Sequence, residues 1–175
     1  MYWYDNAYEA VSRFMDMGGD VLWLIAIVLF AMWMLIFERV WYFYSGWRKD
    51  AGAAIAAWEG RPERKSWNAH QIRKRLIAQS ADQINMYLPV IKTLVALCPL
   101  LGLLGTVTGM IEVFNIMAVT GGGDAKSMAV GVSRATIPTM AGMVAALSGV
   151  FANTYITRKA ARESTFLKDN LTTDH

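Results

Sequence analysis

The residues of this sequence that could do chemistry inside its apolar stretches are few, and most are hydroxyls. Thr106 and Thr108 lie in the run Pro99-Leu-Leu-Gly-Leu-Leu-Gly-Thr-Val-Thr-Gly-Met-Ile111, and Thr136 and Thr139 flank Pro138. A threonine hydroxyl donates one hydrogen bond and accepts others, but it carries no proton at neutral pH. It can hold water, hydrogen-bond a buried acid of another chain, or satisfy a backbone group loosened by a nearby proline. The ionisable neighbours are Glu112 and Arg134. Enzyme constellations are missing. His70 and His175 stand outside the apolar stretches, and no metal-ligand spacing, Walker loop or nucleophile elbow occurs. Gly102, Gly105 and Gly109 lack the Lys-Ser/Thr of a phosphate loop and read as a packing stripe. We expect no enzymatic activity, no metal and no cofactor.

Two long apolar segments must position these groups, 90–119 and 128–157. Each exceeds the roughly 20 residues that a helix needs to cross a hydrocarbon core. Both are rich in Gly, Ala, Ser and Thr. In water that mixture makes a poor helix, since Gly costs about 1 kcal/mol relative to Ala. In lipid it makes a close helix–helix interface. The short Gly-rich stretch 120–127 joins the two into a hairpin. With its tip near Gly122 and Gly123, residues whose numbers sum to about 245 lie at one depth, an expectation that follows from the even helical rise. Thr106 is then level with Thr139, and Glu112 with Ser133 and Arg134. At 1.5 Å per residue Thr106 is roughly 25 Å from the tip, near the middle of a bilayer, and Glu112 is roughly 10 Å higher, near the loop-side interface.

A third apolar segment, 21–44, runs unbroken from Val21 to Phe37 and closes with Glu38-Arg39 and the aromatic belt Val40-Trp-Tyr-Phe-Tyr44. It is hydrophobic all round, as expected of a lipid-facing helix. Glu38 is expected to pair locally with Arg39 or Arg48, the alternative being a functional carboxylate. With 55% hydrophobic residues in a chain of 175, the class is an all-α membrane protein with three transmembrane helices. Segment 1–20 is acidic and aromatic, reading as an interfacial amphipathic helix or a folded cap and not as a cleavable signal. Segment 45–89 is polar and basic, with one helix ended by Gly60 and a second over 70–87 whose shared face is Ile72, Leu76, Gln79, Gln83 and Met86. The tail 158–175 continues the third helix briefly and then frays. The single cysteine, Cys98, excludes an internal disulfide.

Charge placement sets the topology. Arg48, Lys49, Arg61, Arg64, Lys65 and the cluster Arg73-Lys-Arg75 crowd the middle segment, and Arg158, Lys159, Arg162 and Lys168 the tail. The positive-inside rule puts the N-terminus and the 120–127 loop outside, and the middle segment and tail in the cytoplasm. The basic cluster is expected to meet anionic lipid and not nucleic acid. Two small-residue helices with one lipid-compatible helix leave more packing surface than a monomer uses, so a homo-oligomer follows.

These residues resemble the MotA/TolQ/ExbB family of proton-driven motor subunits. The likeness is carried by Pro99-Leu-Leu-Gly-Leu-Leu-Gly-Thr-Val-Thr-Gly-Met-Ile111 and by Thr139-Met-Ala-Gly-Met-Val-Ala-Ala146. Three spans and a short basic segment look like a compact member of the ExbB branch. That resemblance implies a homopentamer with the second and third helices lining a pore and extending into the cytoplasm. The pore would hold an ExbD-like single-span partner with a membrane-embedded Asp, and the complex would drive a TonB-like protein. The work would be outer-membrane import of iron-siderophores, haem or cobalamin from the inner membrane of a Gram-negative bacterium. Thr106 and Thr139 fall on the family's pore-facing threonines. Gly105, Gly109, Thr136, Pro138 and Gly142 complete the implied proton pathway. Where the family often has a Glu, five residues before the third-helix Thr, this chain has Arg134. An obligatory carboxylate relay on that helix is therefore not expected. Instead Glu112 and Arg134 are expected to pair at the periplasmic mouth, within one chain or between neighbours. The alternatives are a TolQ-like subunit for envelope maintenance and a scaffold whose small-residue faces serve packing alone.

Overall fold

The computed structural model describes residues 2–63, 66–120 and 125–171. The expected hairpin tip at Gly122 and Gly123, the basic pair Arg64 and Lys65, and the chain from Thr172 to His175 lie outside the described residues, as do the side chains of Tyr2, Trp3 and Tyr4. The described chain is helical: α1 (Tyr2–Ser45), α2 (Trp47–Glu59), α3 (Trp67–Asn85), α4 (Leu88–Thr120) and α5 (Ala125–Asn170). Three of its helices are long and apolar enough to cross a membrane. The chain is thus an all-α membrane protein.

Gly19 interrupts α1 with φ +63°, a left-handed conformation natural to Gly alone. It separates the amphipathic start of α1, where Tyr8 and Val11 are exposed and Arg13 bridges Glu9 at 2.8 Å, from the apolar span. Pro99 and Pro138 sit inside α4 and α5 without ending them. Neighbouring helices and Ser/Thr groups satisfy the freed backbone in such places.

The chain divides into two compact units. The first comprises Met1–Trp33 and Thr93–Val150. Its core gathers Leu22 and Ile25 of α1, Cys98 of α4, and Ala145 and Ala146 of α5. Small residues on α4 and α5 allow α1 to lay Leu and Ile directly on their seam. The first span is therefore not lipid-facing all round. Leu22, Ile25 and Met32 are buried, while Trp23, Ile27 and Phe30 are exposed.

The second unit comprises Met34–Lys92 and Phe151–His175. Trp47 is buried, and its indole N–H donates to Glu163 Oε2 at 2.7 Å, tying α2 to α5. Ser66 caps α3 by accepting from the Ala69 amide. Helix α3 covers 67–85 where 70–87 is expected, and its buried stripe is Ala69, Ser80 and Ile84, while Gln79, Gln83 and Met86 are exposed. The stripe is turned by about one residue, because the small side chains of Ala69 and Ser80 permit closer approach than glutamine does. Glu38 pairs with Arg39 as expected, at 2.7 and 3.0 Å. Helix α5 persists to Asn170, longer than the brief continuation expected, with Leu167 and Leu171 buried, while the expected fraying of Thr172 to His175 lies outside the described residues. Arg73 explains the persistence. Its guanidinium donates to the carbonyls of Leu171 and, at 3.3 Å, Lys168, satisfying groups that a helix end leaves open.

Candidate functional site

The α4–α5 seam is built by glycines. A Cβ on Gly102 would stand 2.9 Å from Thr139 Cα, one on Gly105 2.3 Å from Pro138 Cβ, and one on Gly109 2.8 Å from Ala135 Cβ. From the other side, a Cβ on Gly142 would stand 2.5 Å from the Cys98 carbonyl oxygen, and one on Gly131 2.4 Å from Val113 Cγ2. The pairs Gly105–Pro138, Gly109–Ala135 and Gly131–Val113 lie within two residues of the depth levels read from the sequence, whereas Thr139 meets Gly102, about one turn from the expected Thr106, and Gly142 meets Cys98. Small residues at these positions let the two backbones approach far closer than a leucine seam would.

Thr139 is the threonine that bridges this seam. Its Oγ1 donates to the Gly102 carbonyl on α4 at 2.9 Å. Thr106, Thr108 and Thr136 bond back within their own helices, to the carbonyls of Leu103 at 2.8 Å, Leu104 at 3.0 Å and Ser133 at 2.8 Å. Thr106 and Thr139 are half-buried; Thr108 and Thr136 are exposed. Gly105, Gly142 and Pro138 are buried in the seam. Each hydroxyl keeps acceptor capacity for a water or a protonated carboxyl of another molecule. No Asp or Glu occurs in 21–37, 93–111 or 135–162, so the chain places no carboxylate at this level.

Toward the loop end of the same unit lies a cavity of about 700 Å³ between the Gly19 kink of α1, α4 and α5. Glu112 and Arg134 both line it, together with Asp16 and Asp20. The ion pairs among the described residues are Arg13–Glu9 and Arg39–Glu38, so Glu112 and Arg134 share a cavity without bridging inside one chain. Sequence reading missed Asp16 and Asp20 as neighbours of these two. The signal available was Gly18-Gly19, whose left-handed turn carries the acidic end of α1 over the seam.

A model of the MotA/TolQ/ExbB proton channel family matches residues 44–169. The chain belongs to that family. Over 61 residues it is 49% identical to a Synechocystis sp. protein named ExbB-like 1, covering 33% of this chain and 24% of the relative. It is 42% identical over 62 residues to the biopolymer transport protein ExbB of Helicobacter pylori, covering 35% and 43%. A second Synechocystis sp. protein, named ExbB-like 3, is 35% identical over 91 residues, covering 46% and 42%. These matches span less than half the length of each relative. The family match takes in α4, the whole seam and nearly all of α5, along with α2 and α3. In this member of the MotA/TolQ/ExbB family, then, the hydroxyl-bearing seam and the loop-side cavity both fall inside the matched region apart from the contribution of α1.

Proposed function

We propose that this chain is an ExbB-like stator subunit, a non-enzymatic part of a proton channel that uses the proton motive force to energise TonB-dependent outer-membrane import. The observation that carries the reading is Thr139. It is a hydroxyl held across a glycine seam at 2.9 Å from the Gly102 carbonyl, at a level where the chain has no carboxylate. A hydroxyl can orient water or a protonated acid but cannot itself titrate at neutral pH. The titrating group then comes from another polypeptide, an ExbD-like single span standing in a pore walled by α4 and α5 of several copies, five by analogy with the family. Thr106, Thr139 and Thr136 face that pore, with Gly105, Gly109, Pro138 and Gly142 fixing the wall behind them. The N-terminus and the 120–127 loop lie in the periplasm, segments 45–89 and 158–175 lie in the cytoplasm, and the membrane is the inner membrane of a Gram-negative bacterium. Glu112 of one chain and Arg134 of its neighbour pair around the periplasmic mouth. The cargo class is iron-siderophores, haem or cobalamin.

The test is energised import by cells carrying the complete complex. Thr139→Val and Thr106→Val abolish import while the assembly still forms, and Thr139→Ser restores it by returning the hydroxyl. Normal import by both valine variants would remove the hydroxyls from the proton path. Co-purification with an acid-bearing single-span partner identifies the system: a partner serving envelope maintenance would make the chain TolQ-like.

A further inference from the structure

Helix α3 hands over to α4 through Met86 and Tyr87, and Pro89 follows in the first turn of α4. The proline keeps α3 from running straight on, because its ring would strike the carbonyl four residues back and its nitrogen carries no N–H. The chain therefore turns an elbow. Met86 leaves the helix with ψ 135°, and Tyr87 takes φ +65°. Among the described residues Tyr87 is the one non-glycine with positive φ. A left-handed residue just past a helix end is usually Gly and sometimes Asn, since a Cβ there crowds the backbone. A tyrosine in that place biases the local backbone against the elbow by about tenfold.

Such a residue persists where the surroundings over-determine it, and such residues gather at switch regions. The surroundings here converge on Arg39, a buried guanidinium. Its Nη1 donates to the Gln83 carbonyl in the last turn of α3 at 3.0 Å. A left-handed cap usually supplies that carbonyl from a main-chain N–H. Its Cζ lies 4.9 Å from the Tyr87 ring centre and 5.1 Å from that of Tyr42. Glu38 takes two of its remaining N–H groups at 2.7 and 3.0 Å. Tyr42 is braced in turn. Its hydroxyl donates to Asp50 Oδ2 of α2 at 2.7 Å, and its ring lies over Gly46, where a Cβ would stand 2.7 Å from Cδ2. One guanidinium thus ties α1, α2, the end of α3 and the elbow together. Tyr87 is 43% exposed, so its ring fills no core. What the ring gains by standing in a glycine's place is the stack on Arg39.

We infer that the α3–α4 elbow is a spring-loaded joint: Arg39 holds Tyr87 left-handed, and release of that hold lets Tyr87 relax and α3 move against the start of α4. The spring is the misplaced Cβ, and the catch is the guanidinium with its ring and carbonyl partners. That the movement reaches a pore wall rests on the function proposed above. The joint itself does not, and its test reads no import.

Hydrogen exchange is followed on the full chain in the assembly it forms, over 84–91, with 100–115 as the internal reference. Arg39→Ala speeds exchange over 84–91 about tenfold relative to the reference, the size of the left-handed penalty. Tyr87→Ala keeps the Cβ and loses the ring, and does the same. Tyr87→Gly loses both and stays within about twofold of the parent, because glycine adopts the turn freely. Adding Tyr87→Gly to Arg39→Ala returns most of the lost protection. Were Arg39 only a packing residue, the double variant would exchange at least as fast as Arg39→Ala. That outcome, or equal exchange in Tyr87→Ala and Tyr87→Gly, overturns the joint. Should Arg39→Ala fail to fold, the two substitutions at the half-exposed Tyr87 decide by themselves.

Discussion

At the residue scale, the glycines differ sharply in what they permit. Gly142 faces the Cys98 carbonyl oxygen at 2.5 Å from where a Cβ would stand, and that oxygen is backbone and cannot give way. Gly142→Ala therefore destabilises by about 1–3 kcal/mol through overpacking, read as a lower melting temperature in detergent. Gly52, inside α2, has nothing within 4 Å of the same position. Gly52→Ala stabilises by about 0.5–1 kcal/mol through helix propensity, and the two variants melted side by side make an internal control. The sequence showed a small-residue stripe at helical spacing. It did not show which member meets immovable backbone, because that depends on the partner helix. Likewise the Thr residues were legible as hydroxyls of similar depth, but only the packed helices choose Thr139 over Thr106 as the one that reaches across.

At the element scale, two arginines act as fasteners. Arg73 closes the end of α5, so Arg73→Ala costs about 1.5–3 kcal/mol there, on the scale of hydrogen bonds to a charged donor. The check is hydrogen exchange over 165–171, which speeds up in the variant while exchange in α4 stays unchanged. Arg39 is 3% exposed, holds Glu38, donates to the Gln83 carbonyl at 3.0 Å and stacks 4.9 Å over Tyr87. Tyr87 has φ +65° where α3 gives way to α4, a conformation uncommon for a bulky residue. Arg39→Lys fails to restore what Arg39→Ala loses, since an ammonium lacks the planar fork. Thermal melting of both variants, each lower than the parent by a similar amount, tests this. Arg73 read as part of a lipid-facing basic cluster, because a charge run carries no mark of which member turns inward.

At the scale of the whole molecule, family membership and three apolar helices make a membrane protein, and the proposed orientation is open to direct test. The native thiol, Cys98, is fully buried and serves as a silent background. Tyr8→Cys and Trp67→Cys replace residues 76% and 73% exposed. In intact spheroplasts a membrane-impermeant thiol reagent labels the first and not the second, and permeabilisation adds the second. The reverse pattern would invert the topology. The faces of α4 and α5 leave Leu100, Leu103, Met140 and Val144 exposed, consistent with burial in lipid or against further copies.

Composition and period determined the helix count, the class, the seam and its approximate register. Each follows from local properties, namely run length, small-residue spacing and the fixed rise of a helix. The buried side of α1 was undetermined, because a span that is apolar all round has no side marked by its own residues. Nor could spacing along the chain bring Asp16 and Asp20 to Glu112 and Arg134, which lie about a hundred residues away. Gly19's left-handed turn and the closeness of the α4–α5 backbones made that meeting, and both are properties of chain packed against chain.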